Sequence, residues 1–298
     1  MATAPSATMS PIIRRWARWR NQAAFAAYLF WRNPLSVAGL LIVLFFLAMA
    51  ALAPWLATHD ALAPEPIHQV QPPSRVHYFG TDGLGMDVFS RVVWAARIDM
   101  MVAVLSVFLA MLVGIPLGAV AGYVGGWFDN AVMRFLDSQQ AFPGYILAMA
   151  IVTVLGQSLA NIIFVIAFVN YPIYARLVRA QMLSVKESQY AQSARVVGNS
   201  SWRLIFRHLL PNCLGPVYVQ SSLNAGWALL LAASLSFIGL GVRPPTPEWG
   251  LMVSMGSRHI VFGEWWISFF PGLAIFLAVL GVNLLGDGLQ DVFDPKRR

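Results

Sequence analysis

Six apolar stretches, separated by polar and charged segments, dominate the pattern along this chain. Each approaches the roughly 20 residues that a helix needs to cross a bilayer. The third is short, and its helix is expected to begin nearer Ala131. This pattern predicts an all-α, polytopic membrane protein with six transmembrane helices. The apolar stretches cover residues 35–57, 100–123, 142–155, 160–174, 214–240 and 265–285.

Composition agrees with a membrane protein. Hydrophobic residues make up 58% of the chain and charged residues 11%, whereas typical soluble domains carry about 25% charged residues. The net charge of +7 does not indicate nucleic-acid binding, because the arginines flank apolar stretches and follow membrane topology. The single cysteine, Cys213, cannot form an intrachain disulfide and is expected to be a small buried side chain.

Lysine and arginine positions predict the orientation. With the N-terminus inside, 15 of the 20 Lys and Arg residues fall in cytoplasmic segments, so both termini are expected in the cytoplasm. Residues 1–34 form a basic arm with interleaved tryptophans, typical of a surface helix at headgroup level. A twin-arginine signal at Arg14-Arg15 is disfavoured, because the apolar run that follows is longer than a signal core. Cleavage after the small residues Ala48 to Ala50 remains an alternative.

A polar, basic island at residues 189–212 interrupts the apolar pattern and contains three arginines but no acid. Its periodicity predicts two short helices joined at Gly198, with a backbone φ above zero there. Asn199, Ser200 and Ser201 are candidate N-caps of the second helix, and Pro211 is expected to end it. The island is either a simple positive loop near anionic lipid or a helix with an apolar stripe and a basic edge that docks on a protein.

The same island resembles the cytoplasmic coupling loop of ABC-transporter permeases. Ala194, Gly198 and the run His208-Leu209-Leu210-Pro211 match the family spacing, and Gln192-Ser193-Ala194 stands where the family has Glu-Ala-Ala. The resemblance implies that this loop contacts an ATPase. The candidate coupling residues are Gln192, Ser193, Ala194, Gly198, Arg203, Arg207, His208, Leu210 and Pro211.

Three further segments resemble the dipeptide, oligopeptide and nickel branch of that family, and within it the second (C-type) permease of dipeptide systems. They are HYFGTDGLGMDVFSRVVWAARI at 77–98, in which Met86 replaces the usual arginine, PPTPEWG at 244–250, and the last span with its tail at 270–298. Asp82, Asp87 and His77 are residue types that could bind a metal ion, but Asp and Gly in a turn usually cap the backbone. We therefore expect no metal site.

The resemblance implies a type I ABC importer permease fold in a bacterial inner membrane. It also implies a heterodimer with a second permease, two cytoplasmic ATP-binding subunits that hold ATP and Mg, and an external solute-binding protein. This chain would bind no cofactor and catalyse no reaction. The expected segments are a cytoplasmic arm (1–34), a first transmembrane helix (35–57), a periplasmic loop (58–96), a type-1 transmembrane domain (97–287) and a cytoplasmic tail (288–298).

Import of dipeptides or oligopeptides by alternating access is therefore the expected function, with glutathione, opines or nickel as alternative substrates. Gln220, Ser221 and Asn224 are polar in a predicted span and are candidate pore-lining residues, with interhelical hydrogen bonding as the alternative. The sequence contains no Gly-x-x-x-x-Gly-Lys-Ser/Thr motif, so it holds no P-loop. A channel is disfavoured, because the spans lack charged rings. An intramembrane hydrolase with Ser221 or Ser234 as nucleophile is disfavoured, because no histidine lies in a span.

Overall fold

The computed structural model describes residue 28 and residues 30–293, except for the side chains of residues 292 and 293. The basic arm up to residue 27, including Arg14-Arg15, and the end of the tail from residue 294 lie outside the described residues. Within the described part the secondary structure is helical, with an isolated bridge between Thr81 and Asp87 and no strand. The all-α prediction is therefore confirmed for this part of the chain.

After the helical residues 30–32, ten helices follow one another along the described part of the chain, and α7 is the only one of these ten that includes a π-helical stretch. Two 3-10 turns, Pro66–His68 and Ile260–Phe262, lie in the connections. The helices are α1 Pro34–Leu56, α2 Val88–Val124, α3 Gly126–Gln140, α4 Gly144–Leu155, α5 Leu159–Val185, α6 Gln189–Val196, α7 (Ser201–Arg203, π-helical Leu204–Leu209 and Leu210–Cys213), α8 Gly215–Phe237, α9 Trp249–Ser257 and α10 Trp266–Phe293.

Four of these helices, α1, α2, α5 and α10, are long and apolar enough to cross a membrane. The pair α3 and α4 meets the same criterion together and would make a fifth span, although the two helices are bent by 85°. Helix α8 has 23 residues, but Gln220, Ser221, Ser222 and Asn224 make its first half polar. Four spans, or five with the bent pair, are thus found where the sequence predicted six.

The expectation of one continuous helix from Ala131 through the third apolar stretch is wrong. The chain leaves helical geometry between Gln140 and Gly144, and α4 has only 12 residues. Pro143 explains the break, because proline has no backbone N–H and disfavours helical geometry at the preceding residue, Phe142.

Two other helices are longer than the apolar stretches that predicted them. Helix α2 begins at Val88, inside the segment predicted as a loop up to residue 96, and α5 continues to Val185 instead of ending near residue 174. Arg91, in the extension of α2, is fully buried. Its Nη1 atom donates to the carbonyl oxygens of Ala61 and Pro245 at 3.0 and 3.1 Å, and its Nε atom lies 3.6 Å from Oδ2 of Asp82. Nε and Nη2 have no hydrogen-bond partner among the described residues.

Helices α2 and α5 pack along much of their length. The contact depends on glycines of α2, because a Cβ atom at Gly118 would overlap the carbonyl oxygen of Ala175, and one at Gly114 would overlap that of Tyr171. Small residues at such a contact allow two backbones to approach closely. On the other side of the bundle, α1 lies against α10, where Gly39 faces the backbone of Leu285.

Candidate functional site

The basic island forms the two short helices that the sequence predicts. Helix α6 ends at Val196, Gly198 has φ +84°, and Ser200 occupies the N-cap position of α7. The side chain of Asn199 donates to the carbonyl oxygen of Ala194 at 2.9 Å, so it closes α6 instead of capping α7. The turn at Gly198, with its positive φ, is confirmed.

The expectation that Pro211 ends the second helix is wrong. The Leu210–Cys213 segment continues directly from the π-helical stretch, and α8 begins two residues after it, at Gly215. Pro211 lies where the π-helical stretch passes into the segment Leu210–Cys213. The island is therefore joined through α7 almost without interruption to α8.

One face of α7 is packed into the helix bundle. Leu204 and Leu209 are fully buried and Ile205 is 3% exposed, in a cluster that also contains Val178 and Met182 of α5. Burying an aliphatic side chain of this size contributes about 1.5–3 kcal/mol. This buried face packs α7 against α5.

Cys213, at the end of α7, belongs to the same cluster. Its thiol lies 3.4 Å from the carbonyl oxygen of Leu209, and burial raises its pKa to about 11. At pH 8 about one thiol in a thousand is ionised at that pKa, and the thiolate is the reactive form. The predicted role of Cys213 as a small buried side chain is confirmed.

The opposite face of the island is exposed and combines apolar and basic residues. Val196, Val197 and Trp202 are 88%, 82% and 66% exposed. Arg203 and Arg207 are exposed as well and form no ion pair with any described residue. We call these five residues the exposed face of the island. The remaining predicted coupling residues are also placed: Gln192, Ser193 and Pro211 are exposed, and Ala194, His208 and Leu210 are half-buried.

The second feature is a cavity of about 480 Å³ where the break between α3 and α4 meets α5 and α8. Four amide side chains contribute to its wall, together with Trp227 and Phe142, and none of its lining residues is formally charged. The side-chain NH₂ group of Asn224 is buried and has no hydrogen-bond partner among the described residues. The amides are Gln139, Gln140, Asn170 and Asn224.

The three candidate pore residues do not share one position. Asn224 lines the cavity, and Gln220 donates to its side-chain oxygen at 2.9 Å. Ser221 donates to the carbonyl oxygen of Val217 and lies 3.0 Å from the sulfur of Met111, which places it against α2. Gln139, Asn170 and Trp227 were missed from the sequence, because they come from elements far apart in the chain.

Two ion pairs connect α3 to α5 beside this cavity. Arg179 donates to both carboxylate oxygens of Asp129 at 2.5 and 2.6 Å, and Arg176 donates to Asp137 at 2.6 Å. The bidentate pair is the stronger of the two, because two parallel bonds fix the geometry. The two ion pairs hold α3 against α5. Helix α7 also packs against α5.

The PPTPEWG segment, residues 244–250, contacts α2 and leads into α9. The carboxylate of Glu248 accepts the backbone N–H groups of Gly250 and Leu251 at 3.0 and 2.7 Å and caps α9. Burial raises the pKa of Glu248. Trp249 is fully buried and donates its indole N–H to the carbonyl oxygen of Val92 at 3.0 Å, which ties this segment to α2.

Two family models match the chain. Residues 114–298 match the binding-protein-dependent transport system inner membrane component, and residues 25–73 match the N-terminal TM domain of oligopeptide transport permease C. The first match covers more than half of the chain, including the island, the cavity residues and the PPTPEWG segment.

Individual relatives agree with this result. The chain is 43% identical to the dipeptide transport system permease protein DppC of Alkalihalophilus pseudofirmus, over 90% of this chain and 88% of the relative. It is 44% identical to the probable D,D-dipeptide transport system permease protein DdpC of Escherichia coli (89% and 88% covered) and 42% identical to the glutathione transport system permease protein GsiD of Pectobacterium atrosepticum (90% and 89% covered). The chain therefore belongs to the inner-membrane permeases of binding-protein-dependent transport systems.

Proposed function

We propose that this chain is one permease subunit of an ATP-driven importer that carries dipeptides or oligopeptides across the bacterial inner membrane by alternating access. The observation that carries the proposal is the two-sided structure of the island. One side is packed into the bundle through Leu204 and Leu209, while Val197, Trp202 and Arg203 are exposed on the other. A partner protein that binds the exposed side of the island could therefore move the transmembrane helices through its buried side.

The exposed face of the island suits a groove on an acidic protein surface. Its apolar residues supply desolvation energy, and the two unpaired arginines supply charge complementarity. We assign the groove to a cytoplasmic ATPase subunit. Two such subunits would hold ATP and Mg, a second permease would complete the translocation path, and an external binding protein would deliver the substrate. Both termini and the island are placed in the cytoplasm, with six crossings in which α8 is the additional span.

The amide-lined cavity supports a peptide substrate. Asparagine and glutamine both donate and accept hydrogen bonds, as a peptide backbone does. The cavity lining contains no charged residue that would select a peptide with one particular charged side chain. The cavity therefore accommodates peptides of varied composition. We place Asn224, whose NH₂ group lacks a partner, on the translocation path, with Gln220 as its orienting neighbour and Ser221 as a packing contact.

Glutathione is the second candidate substrate, because one relative is named as a glutathione permease. A hydrolytic function gains no support from the candidate nucleophiles. Ser221 and Ser234 each donate to a main-chain carbonyl oxygen four residues earlier, both at 2.7 Å. Each hydroxyl proton is thus already committed within its own helix, so we propose no catalytic step for this chain.

Reconstitution tests the proposal. The chain, its partner permease and the two ATPases are incorporated into proteoliposomes, and uptake of labelled dipeptide, oligopeptide and glutathione is measured with the binding protein outside. We expect uptake that depends on ATP inside and on the binding protein outside. A complex that assembles and hydrolyses ATP but accumulates none of these substrates would remove the peptide assignment. Failure of the ATPases to co-purify would remove the importer assignment.

A further inference from the structure

Three side chains from distant parts of the loop between α1 and α2 converge at one point. His59 follows the end of α1, His77 lies in the middle of the loop, and Asp87 is the residue before α2. One ligand atom from each of the three lies within 4.8 Å of the other two. The cluster is separate from the island and from the amide-lined cavity.

The geometry of the cluster is that of an oriented imidazole. Nδ1 of His77 lies 2.9 Å from Oδ1 of Asp87, and both side chains are almost fully buried. In the metal-bound form these two atoms would bind the ion instead of each other, because zinc ligands lie about 2.0–2.2 Å from the metal and therefore close to one another. The ring of His59 lies 4.6 Å from that of His77, and its Nδ1 is 3.0 Å from the hydroxyl of Thr58 and 3.8 Å from Asp87.

A third imidazole lies beside these two. The ring of His68 is 5.8 Å from that of His77, and its Nδ1 atom is buried without a hydrogen-bond partner among the described residues. Three of the five histidines in the chain thus lie close together, and two of them, His59 and His77, approach the buried carboxylate of Asp87. A buried polar nitrogen without a partner is unfavourable, and a bound cation would supply that partner.

Backbone capping explains part of the cluster. Asp87 accepts the N–H of Ser90 at 2.8 Å and caps α2, and Asp82 accepts the N–H groups of Leu84 and Met86. The capping role predicted for these two acids is confirmed. However, a cap needs no imidazole, so it leaves the convergence of His59, His68 and His77 unexplained. The sequence expectation of no metal site weighed only His77 and the two acids.

We propose that this cluster binds a divalent transition-metal ion of the Zn²⁺ class through His59, His77 and Asp87, and that the neighbouring His68 turns toward the bound ion as a fourth ligand. Imidazole and carboxylate groups suit zinc, which prefers four ligands in structural sites. The ion would fasten the end of α1 to the start of α2. The hydroxyl of Ser90 already joins these ends, because it accepts the backbone N–H groups of Thr58 and His59 at 3.1 and 3.0 Å.

Zinc binding to the purified full chain, in complex with its partner permease, tests this proposal. The complex is isolated through a tag that contains no histidine and dialysed against buffered Zn²⁺. Bound metal is counted by mass spectrometry, and affinity is measured by competition with a chromogenic chelator. We expect one Zn²⁺ for each chain, and an affinity lowered about tenfold or more in His59→Gln, His68→Gln and His77→Gln, since even outer-shell changes at zinc sites cost about 10–100-fold.

His259→Gln is the matched control, because His259 contacts Glu264 in another imidazole–carboxylate pair and belongs to a different loop. It should bind zinc like the wild type. His59→Gln leaves the bond between His77 and Asp87 in place, so it remains informative if His77→Gln fails to fold, which thermal melting of each variant would show. Unchanged stoichiometry and affinity in folded His59→Gln, or an equal loss in His259→Gln, would overturn the proposal.

Discussion

Replacement of Gly198 by valine tests whether the island transmits force or only connects two spans. The backbone at Gly198 has φ +84°, and a Cβ atom there would meet nothing within 4 Å. The substitution therefore adds no clash, and its cost is conformational strain alone. A side chain in the left-handed region costs about 1–2 kcal/mol, which favours other arrangements of the turn by about 5–30-fold. Because α7 follows this turn, its exposed face would be misdirected.

Gly263→Val is the matched control for this experiment. Gly263 has φ +83° and equally open surroundings, but it lies in the loop between α9 and α10. Both variants should insert in the membrane at similar levels. Co-purification of the ATPases and substrate-stimulated ATP hydrolysis should fall only in Gly198→Val, and Gly198→Asn should retain both, because asparagine tolerates positive φ. If Gly198→Val keeps both properties at the level of Gly263→Val, the island is a connector and its proposed role is wrong.

Three further outcomes are expected. A cysteine that replaces Ser200 should react with an impermeant maleimide only from the cytoplasm, and one that replaces Thr246 should react only from outside. The native thiol of Cys213 should not react. The opposite labelling would reverse the topology. Asn224→Leu should lower uptake without loss of the complex, and normal uptake would remove Asn224 from the translocation path. Gly118→Ala should destabilise the chain by about 1–3 kcal/mol through overpacking between α2 and α5, seen as a lower melting temperature, whereas Gly272→Ala, whose Cβ would meet its nearest neighbour at 3.9 Å, should not.

The sequence predicts the membrane helices where apolar character is the dominant force. Helices α1 and α10 form where their apolar stretches predict them. Most of the residues in the apolar parts of these two helices are not buried inside the structure, so contacts with the rest of the chain change the prediction little. Prediction failed where a partner elsewhere in the chain changed the outcome. Arg91 is helical in a stretch predicted as loop, because distant carbonyl groups receive its guanidinium. Pro143 separates two helices where one helix from Ala131 through residue 155 was predicted, although its effect could have been foreseen from backbone geometry alone.

The site was predictable to the extent that it is local. Gly198 and the two short helices are encoded within 24 consecutive residues (189–212), and both were anticipated. The amide-lined cavity was not, since Gln139, Asn170 and Asn224 come from three separate helices. The histidine cluster was missed for the same reason. Spacing gave no signal, because irregular loop structure brings its members together.

The length of α2 has a mechanical consequence. Its 37 residues span about 55 Å at 1.5 Å per residue, more than the roughly 40–45 Å of a bilayer with its headgroups. Its first residue follows Asp87, and near its other end the carbonyl oxygen of Gly122 accepts a hydrogen bond from Lys186, three residues before α6. A tilt of about 10° at that end displaces the far end of such a rod by about 10 Å. Under the proposed topology α2 connects the loop after α1 with the region of the island, so the stiffness of α2 around its internal Pro116 would set how much of a small rotation at one end reaches the other.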